Sequence, residues 1–289
     1  MYFAIPVLLA LFAAARQSAI PQQPPRGFGV AIGYTLGGAR ELDALGSVWY
    51  LDYDFRGAAI PNHRRFLLIN TQANLASVPS VARADRGAWW QFGNEPNDPN
   101  QDNVSPAEYA ARYHAFAATL AAADPAARIA SAGIADADWR WADAFREAHR
   151  AQFGSYPRVD GWNIHNYLLD TCAGATDVAA FQARIVAFRD WMRRIGDDAK
   201  PLFLTEYGVL YGGGCCDCPP IPAADVIEFM RATTQWLCQT QAVQGWAWFA
   251  ARTDSRFNGD LFRADGTFTE FGAAYSALMR TPACAEGGR

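Results

Sequence analysis

The sequence predicts an α/β fold in which eight parallel strands alternate with helices and close as a single (β/α)8 barrel of the TIM type. Three observations carry this reading. Eight short runs rich in β-branched and aromatic residues recur along the chain, and the later ones are separated by amphipathic stretches about three to five turns long. Strand, helix, strand at that cadence implies parallel pairing through crossover connections. Eight such units close on themselves rather than leave an open sheet.

In chain order, Tyr2 to Ala15 is apolar and uncharged, too short for a membrane span, and ends in Ala13-Ala14-Ala15 before Arg16. Residues 1–15 are therefore expected to be a signal peptide. Residues 16–26, with Pro21, Pro24 and Pro25, read as an extended linker. The strands then follow as Gly27 to Ile32, Ser47 to Tyr53, Phe66 to Asn70, Trp89 to Phe92, Arg128 to Ala132, Val159 to His165, Leu202 to Glu206 and Gly245 to Phe249. Helices are expected over Pro106 to Ala123, Trp139 to Gln152, Val178 to Ile195 and Ala223 to Gln239, with reduced helices in the first third of the barrel. Ser105-Pro106 is a start signal, hydroxyl at the N-cap and proline at the first helical position, and Asp124-Pro125 ends that helix. No internal repeat or low-complexity tract interrupts residues 27–289, which read as one catalytic domain.

Composition excludes some partners and favours others. The net charge is -4 with both signs scattered, so there is no basic footprint for nucleic acid or an anionic membrane. Ten Trp, eleven Tyr and eighteen Phe tilt the reading towards carbohydrate, whose apolar faces stack on aromatic rings. Six cysteines fit export, to the periplasm or the extracellular space, because an even count in an exported chain usually means disulfides. Cys172 is expected to pair with one of Cys215, Cys216 and Cys218, and Cys238 with Cys284. That cluster lacks a nearby His and matches no common zinc spacing, so no metal is expected. A monomer is expected, with no stable membrane partner unless the N-terminal segment stays uncleaved.

In a parallel α/β barrel, chemistry sits at the C-terminal ends of the strands. Strand four ends in Asn94-Glu95-Pro96, strand six in Asn163-Ile164-His165-Asn166-Tyr167, and strand seven in Leu204-Thr205-Glu206-Tyr207-Gly208, while strand eight carries Trp246 and Trp248. Two strand-end glutamates, an alternating Asn/His/Tyr set and a Trp pair therefore converge on one mouth. Asp52 and Asp54 read as turn residues rather than as cleft lining.

Asn94-Glu95-Pro96 together with Thr205-Glu206-Tyr207-Gly208 resembles clan A of the glycoside hydrolases, whose (β/α)8 barrels carry acid/base and nucleophile glutamates at those strand ends. The likeness extends to His165 and Tyr167, a Trp on strand eight, and Asp265-Gly266-Thr267 leading to Phe271-Gly272, covering Trp89 to Leu278. Within the clan, Asn94 to Asn97 followed by Ser105-Pro106-Ala107-Glu108-Tyr109 is similar to the glycosyl hydrolase catalytic-core group that includes 1,3-β-glucanases, and to bacterial cellulase-like members. The arginine that many clan members place near the barrel centre is not identifiable in the first 88 residues.

The resemblance implies a retaining β-glycosidase acting on a poly- or oligosaccharide without a cofactor. Cleaving an acetal needs a proton for the departing oxygen and electron density at the anomeric carbon, and two carboxyl groups in unequal environments supply both. Glu95 is then the acid/base and Glu206 the nucleophile. Tyr167 is expected to donate to Glu206, Asn94 to meet the sugar hydroxyl beside the anomeric carbon, His165 to orient one of these groups, and Trp248 to form the sugar platform. With Glu206 pointing inward, Thr205 and Tyr207 are expected to face the helices. The alternative is a barrel that binds carbohydrate without cleaving it.

Overall fold

A computed structural model of the chain describes residues 27–32, 38–47, 49–210, 218–253, 259–282 and 284. The expected signal peptide and linker, and Cys215 and Cys216, lie outside the described residues. The strands are β1 (Gly27–Ile32), β2 (Trp49–Asp52), β3 (Arg64–Ile69), β4 (Trp89–Phe92), β5 (Arg128–Ala130), β6 (Trp162–Asn166), β7 (Leu202–Tyr207) and β8 (Gly245–Trp248). They form one sheet in the order β5-β4-β3-β2-β1-β8-β7-β6, with every pairing parallel. The first and last strands are thus neighbours, and β5 and β6 stand at the two ends of the order. No continuous ladder joins those ends, but isolated bridges do. Asp160 N donates to Ile129 O at 2.8 Å, Ser131 N to Gly161 O at 3.1 Å, and His165 N to Ile134 O at 2.9 Å.

The helices are α1 (Ala39–Leu45), α2 (Val78–Ala84), α3 (Pro106–Ala123), α4 (Trp139–Phe153), α5 (Val178–Arg194), α6 (Ala223–Gln239) and α7 (Glu270–Met279). In the first third α1 and α2 have only seven residues each, and β2 connects to β3 without a helix among the described residues. Four of the five later helices start where side-chain caps satisfy their first N–H groups: Ser105 accepts from Glu108 N, Asp138 from Arg140 N and Trp141 N, Asp177 from Ala180 N, and Thr269 from Gly272 N, while α6 follows Pro222 without a side-chain cap. No described helix is long and apolar enough to cross a membrane.

Side chains alternate along each strand, and the alternation sorts the core into two packed sets. Trp49, Leu51, Phe66, Leu68, Trp89, Ala130, Phe203 and Ala247 cluster on the concave side of the sheet. There Phe66, Trp89 and Phe203 meet edge to face, with centroids 5.0 to 6.1 Å apart. Tyr50, Leu67, Trp90, Phe92, Ile164, Leu204, Tyr207, Trp246 and Trp248 join the helix-facing set instead. The aromatic cluster fills the concave side from below, and the polar strand ends sit above it. Disulfides Cys172–Cys218 and Cys238–Cys284 tie the loop after β6 to the segment before α6, and the end of α6 to the chain after α7. Both pairings match the expectation from the cysteine positions.

Candidate active site

β4 delivers Glu95 by breaking its own geometry. The ladder ends at Phe92, Gly93 turns the chain at φ 96°, and Glu95 itself sits at φ 45°, a left-handed conformation costing a non-glycine residue on the order of 1 to 3 kcal/mol. Glu95 N donates to Gly133 O at 2.9 Å, and Asn97 exchanges two hydrogen bonds with the backbone of Ala135, so the loop after β5 holds this turn in place.

β7 delivers Glu206 by a different device. Ile164 pairs with Leu204 but His165 with Glu206, and Leu204 pairs with Trp246 but Tyr207 with Trp248, so β7 carries one residue more than either neighbour. Such a bulge lets two successive side chains share a face. Thr205 and Glu206 consequently both bond to groups of the concave side, while Tyr207 turns to the helices, where its hydroxyl meets Thr234 at 3.0 Å. Thr205 therefore does not face the helices, as strict alternation predicts, because the extra residue in β7 breaks that alternation.

The strand ends meet around β6, whose Asn163 and His165 point inward with Tyr167 just past its end. His165 Nδ1 lies 2.9 Å from Glu95 Oε1 and 3.4 Å from Glu206 Oε2, and its Nε2 lies 3.1 Å from Thr205 Oγ1. Tyr167 OH donates to Glu206 Oε2 at 2.9 Å, and Tyr53 OH, just past β2, donates to Oε1 at 2.5 Å. An oxygen of each glutamate and a nitrogen of His165 all fall within 4.8 Å of one another. That spacing would admit a cation, but the three groups already hydrogen-bond to one another and to the tyrosines and Thr205.

Two expected site residues sit differently. Asn94 is at the rim, its Nδ2 donating to Gln101 Oε1 at 3.2 Å, with Oδ1 buried and unpartnered among the described residues. Trp248 does not reach the mouth. It is fully buried on the helix side, its Nε1 donates to Gly259 O at 2.9 Å, and its ring meets Tyr207 edge-on at 5.2 Å. Trp246 and Trp248 do share a face, but it is the outer one. Phe249, the next residue on the inward parity, lies nearly perpendicular to Tyr53 and Tyr167, with ring centroids at 6.5 and 6.3 Å. Asp52 and Asp54 form a turn: Asp54 N donates to Asp52 Oδ1, while Arg65 donates to Asp52 Oδ2 at 2.6 Å and to Asp54 O at 2.9 Å. Tyr53, bracketed by that turn, is not among the residues the sequence singles out, although it shares the inward parity of Trp49 and Leu51.

Burial governs the charges. It pushes the Glu95 carboxyl up to about 8, helped by the negative charges of Asp98 and Asp136. Burial also raises Glu206, but there His165 and the two tyrosine hydroxyls oppose it, while Glu95 adds to it. His165, buried, is pushed down, with Glu206 pulling the other way. Of the two carboxyl groups, Glu206 has the donors that favour a negative charge and Glu95 does not, so a proton shared by the pair belongs on Glu95.

Residues 70–275 match the model of the family described as glycosyl hydrolase catalytic core. Among solved structures, a GH128 subgroup I endo-β-1,3-glucanase from Amycolatopsis mediterranei in complex with laminaritriose is 24% identical, with a TM-score of 0.69 over 88% of this chain and 99% of that one. A GH128 subgroup II endo-β-1,3-glucanase from Sorangium cellulosum is 22% identical, TM-score 0.65, over 87% and 98%. A GH128 subgroup III curdlan-specific exo-β-1,3-glucanase from Blastomyces gilchristii in complex with glucose is 19% identical, TM-score 0.65, over 86% and 97%. No curated protein matches the chain in sequence.

Proposed function

The chain belongs to the glycosyl hydrolase catalytic core family and is a glycosidase acting on O-glycosyl bonds, and from that premise we propose that it is an exported, retaining hydrolase of β-1,3-linked glucan. We take residues 27–289 as a closed (β/α)8 barrel forming one catalytic unit, with β5 and β6 meeting at the bridged seam. The β-1,3-glucan reading is supported by the solved structures of similar fold, which include enzymes of both internal and terminal cleavage. Export is supported by the two disulfides.

The observation that carries the mechanism is the close approach of Glu95 and Glu206, one oxygen of each lying within 4.8 Å of the other, which supports the retaining geometry without giving the separation of the carboxyl centres. Retaining glycosidases hold their carboxyls about 5 to 5.5 Å apart, whereas inverting ones need about 6.5 to 9.5 Å to admit a water. Glu206, its two oxygens gripped by Tyr53 and Tyr167, attacks the anomeric carbon. Glu95 gives its proton to the departing oxygen, then as carboxylate draws a proton from the water that releases the glycosyl-enzyme. Asn94, whose Oδ1 has no partner among the described residues, meets the sugar hydroxyl beside the anomeric carbon once its side chain turns from Gln101. Phe249 replaces Trp248 as the apolar floor for the sugar ring. No step needs a metal or organic cofactor.

Glu206→Ala is expected to lower turnover of a β-1,3-glucan by at least about a thousandfold, with azide restoring cleavage of an activated β-glucoside to the α-glucosyl azide. Near wild-type rates for Glu206→Ala and Glu95→Gln on the same glucan would remove both assignments. Product sizes on laminarin, read by chromatography, separate internal from terminal cleavage.

A further inference from the structure

Beneath the two glutamates a chain of buried polar side chains crosses from β4 through β6 to β7, and its hydrogen-bond directions follow from one end. Gly93 O can only accept, so Gln91 turns Nε2 towards it at 3.1 Å. Gln91 Oε1 then accepts from Asn163 Nδ2 at 2.7 Å, which leaves Asn163 Oδ1 as the acceptor for Thr205 Oγ1 at 2.9 Å. The other acceptor in reach of that hydroxyl is Gln91 Oε1, at 3.3 Å, on the same side. Either way the single hydrogen of Thr205 points away from His165. A lone pair of Thr205 therefore faces His165 Nε2 at 3.1 Å, and Nε2 must carry a hydrogen. Gln91, Asn163, Thr205 and His165 are all fully buried, so water does not offer the alternative partners that would let any of them flip.

Full burial of His165 disfavours the imidazolium, and in a neutral imidazole with hydrogen on Nε2, Nδ1 is a bare acceptor. It lies 2.9 Å from Glu95 Oε1, a separation two acceptors do not adopt, so a proton lies between them. We propose that Gln91, Asn163 and Thr205 are positioning residues that lock His165 in its Nε2–H tautomer and thereby keep the catalytic proton on Glu95. This rests on the reading of Glu95 as the acid/base. At rest the Glu95 hydroxyl donates to His165 Nδ1; when glucan binds, that hydrogen rotates to the glycosidic oxygen and leaves with the departing alcohol. Glu95 is then a carboxylate facing a lone pair, an arrangement that makes it a stronger base towards the incoming water, and removal of the water's proton restores the resting bond. The other titratable groups facing Glu95 are Asp98 on its own loop, Asp136 after β5, Tyr167 at the end of β6 and Glu206 on β7, and none of them is changed in the test below.

The test combines histidine 15N NMR with pH profiles of the full chain on laminarin. The His165 signal, identified by its loss in His165→Asn, is expected to show a protonated Nε2 and an unprotonated Nδ1. Thr205→Val keeps the side-chain shape but removes the acceptor, so the hydrogen should move to Nδ1, where it favours ionised Glu95. The basic limb of kcat/KM should then fall by about one pH unit, and Thr205→Ser should restore both tautomer and limb. A wild-type His165 protonated on Nδ1 would overturn the proposal, as would a folded Thr205→Val with tautomer and basic limb both unchanged. Full turnover by Glu95→Gln would instead overturn the acid/base reading, leaving the NMR result to decide the tautomer.

Discussion

Tyr53 donates to one oxygen of Glu206 and Tyr167 to the other, so the carboxylate is gripped from β2 and β6 at once. Each hydroxyl favours the ionised form, and a hydrogen bond to a charged group is worth roughly 1.5 to 3 kcal/mol, against 1.36 kcal/mol per pKa unit. Tyr53→Phe keeps the ring beside Phe249 but loses the donor. The acid limb of kcat/KM, set by ionisation of Glu206, should therefore rise by about one unit while the basic limb stays in place. An acid limb that did not move would show that Tyr53 packs without holding charge. The resemblance to clan A marks Tyr167 for this role, whereas Tyr53 stands between two aspartates whose residue type signals a turn. Trp248 and Phe249 illustrate the same difficulty: adjacent aromatic residues give composition but not parity, and only the packing of Trp248 against Tyr207 shows which one faces the helices.

At the level of elements, the strands and long helices were legible because their signals are local. Pro106–Ala123 and Ala223–Gln239 have the bounds that apolar periodicity and end signals implied, and the short first helices follow from the short spacing between the early strands. What was not legible is non-local. The bulge that brings Thr205 inward exists only as a register against β6 and β8. Gly133 is another such case. A Cβ built there would lie 2.1 Å from His165 Nε2, so the loop after β5 can pass beside the imidazole only as glycine, while its carbonyl anchors Glu95 N. Nothing in the local sequence of Gly133 announces a neighbour 32 residues away. Gly133→Ala should cost about 1 to 3 kcal/mol by overpacking and lower kcat/KM by displacing His165. In a His165→Ala background the same change should cost much less, because the space is free. Additive losses in a double-mutant cycle of denaturant midpoints would exclude this coupling.

For the whole molecule, the site is a stability cost as well as a chemical device. The aromatic cluster on the concave side closes the core beneath it, and the carboxyl groups above are held away from water by the same packing that raises Glu95 to about 8. An unfolded glutamate releases its proton near its ordinary value of 4.5, whereas folded Glu95 keeps it until about 8. Between those values the folded state binds a proton that the unfolded state has lost, so the stability associated with this group is complete below the ordinary value and drains away as pH rises through about 8. Glu95→Gln has no proton to lose. Measured by urea unfolding at about pH 5 and about pH 8.5, the variant should gain stability relative to the parent chain at the higher pH, while losing turnover at both. Groups remote from Glu95 cancel in that difference, while Glu206, which the Glu95 charge helps to raise, is relieved in the variant and shifts the difference in the same direction. A stability difference independent of pH would mean that Glu95 titrates normally in the folded chain, and would take away the resting proton on which the acid/base assignment depends.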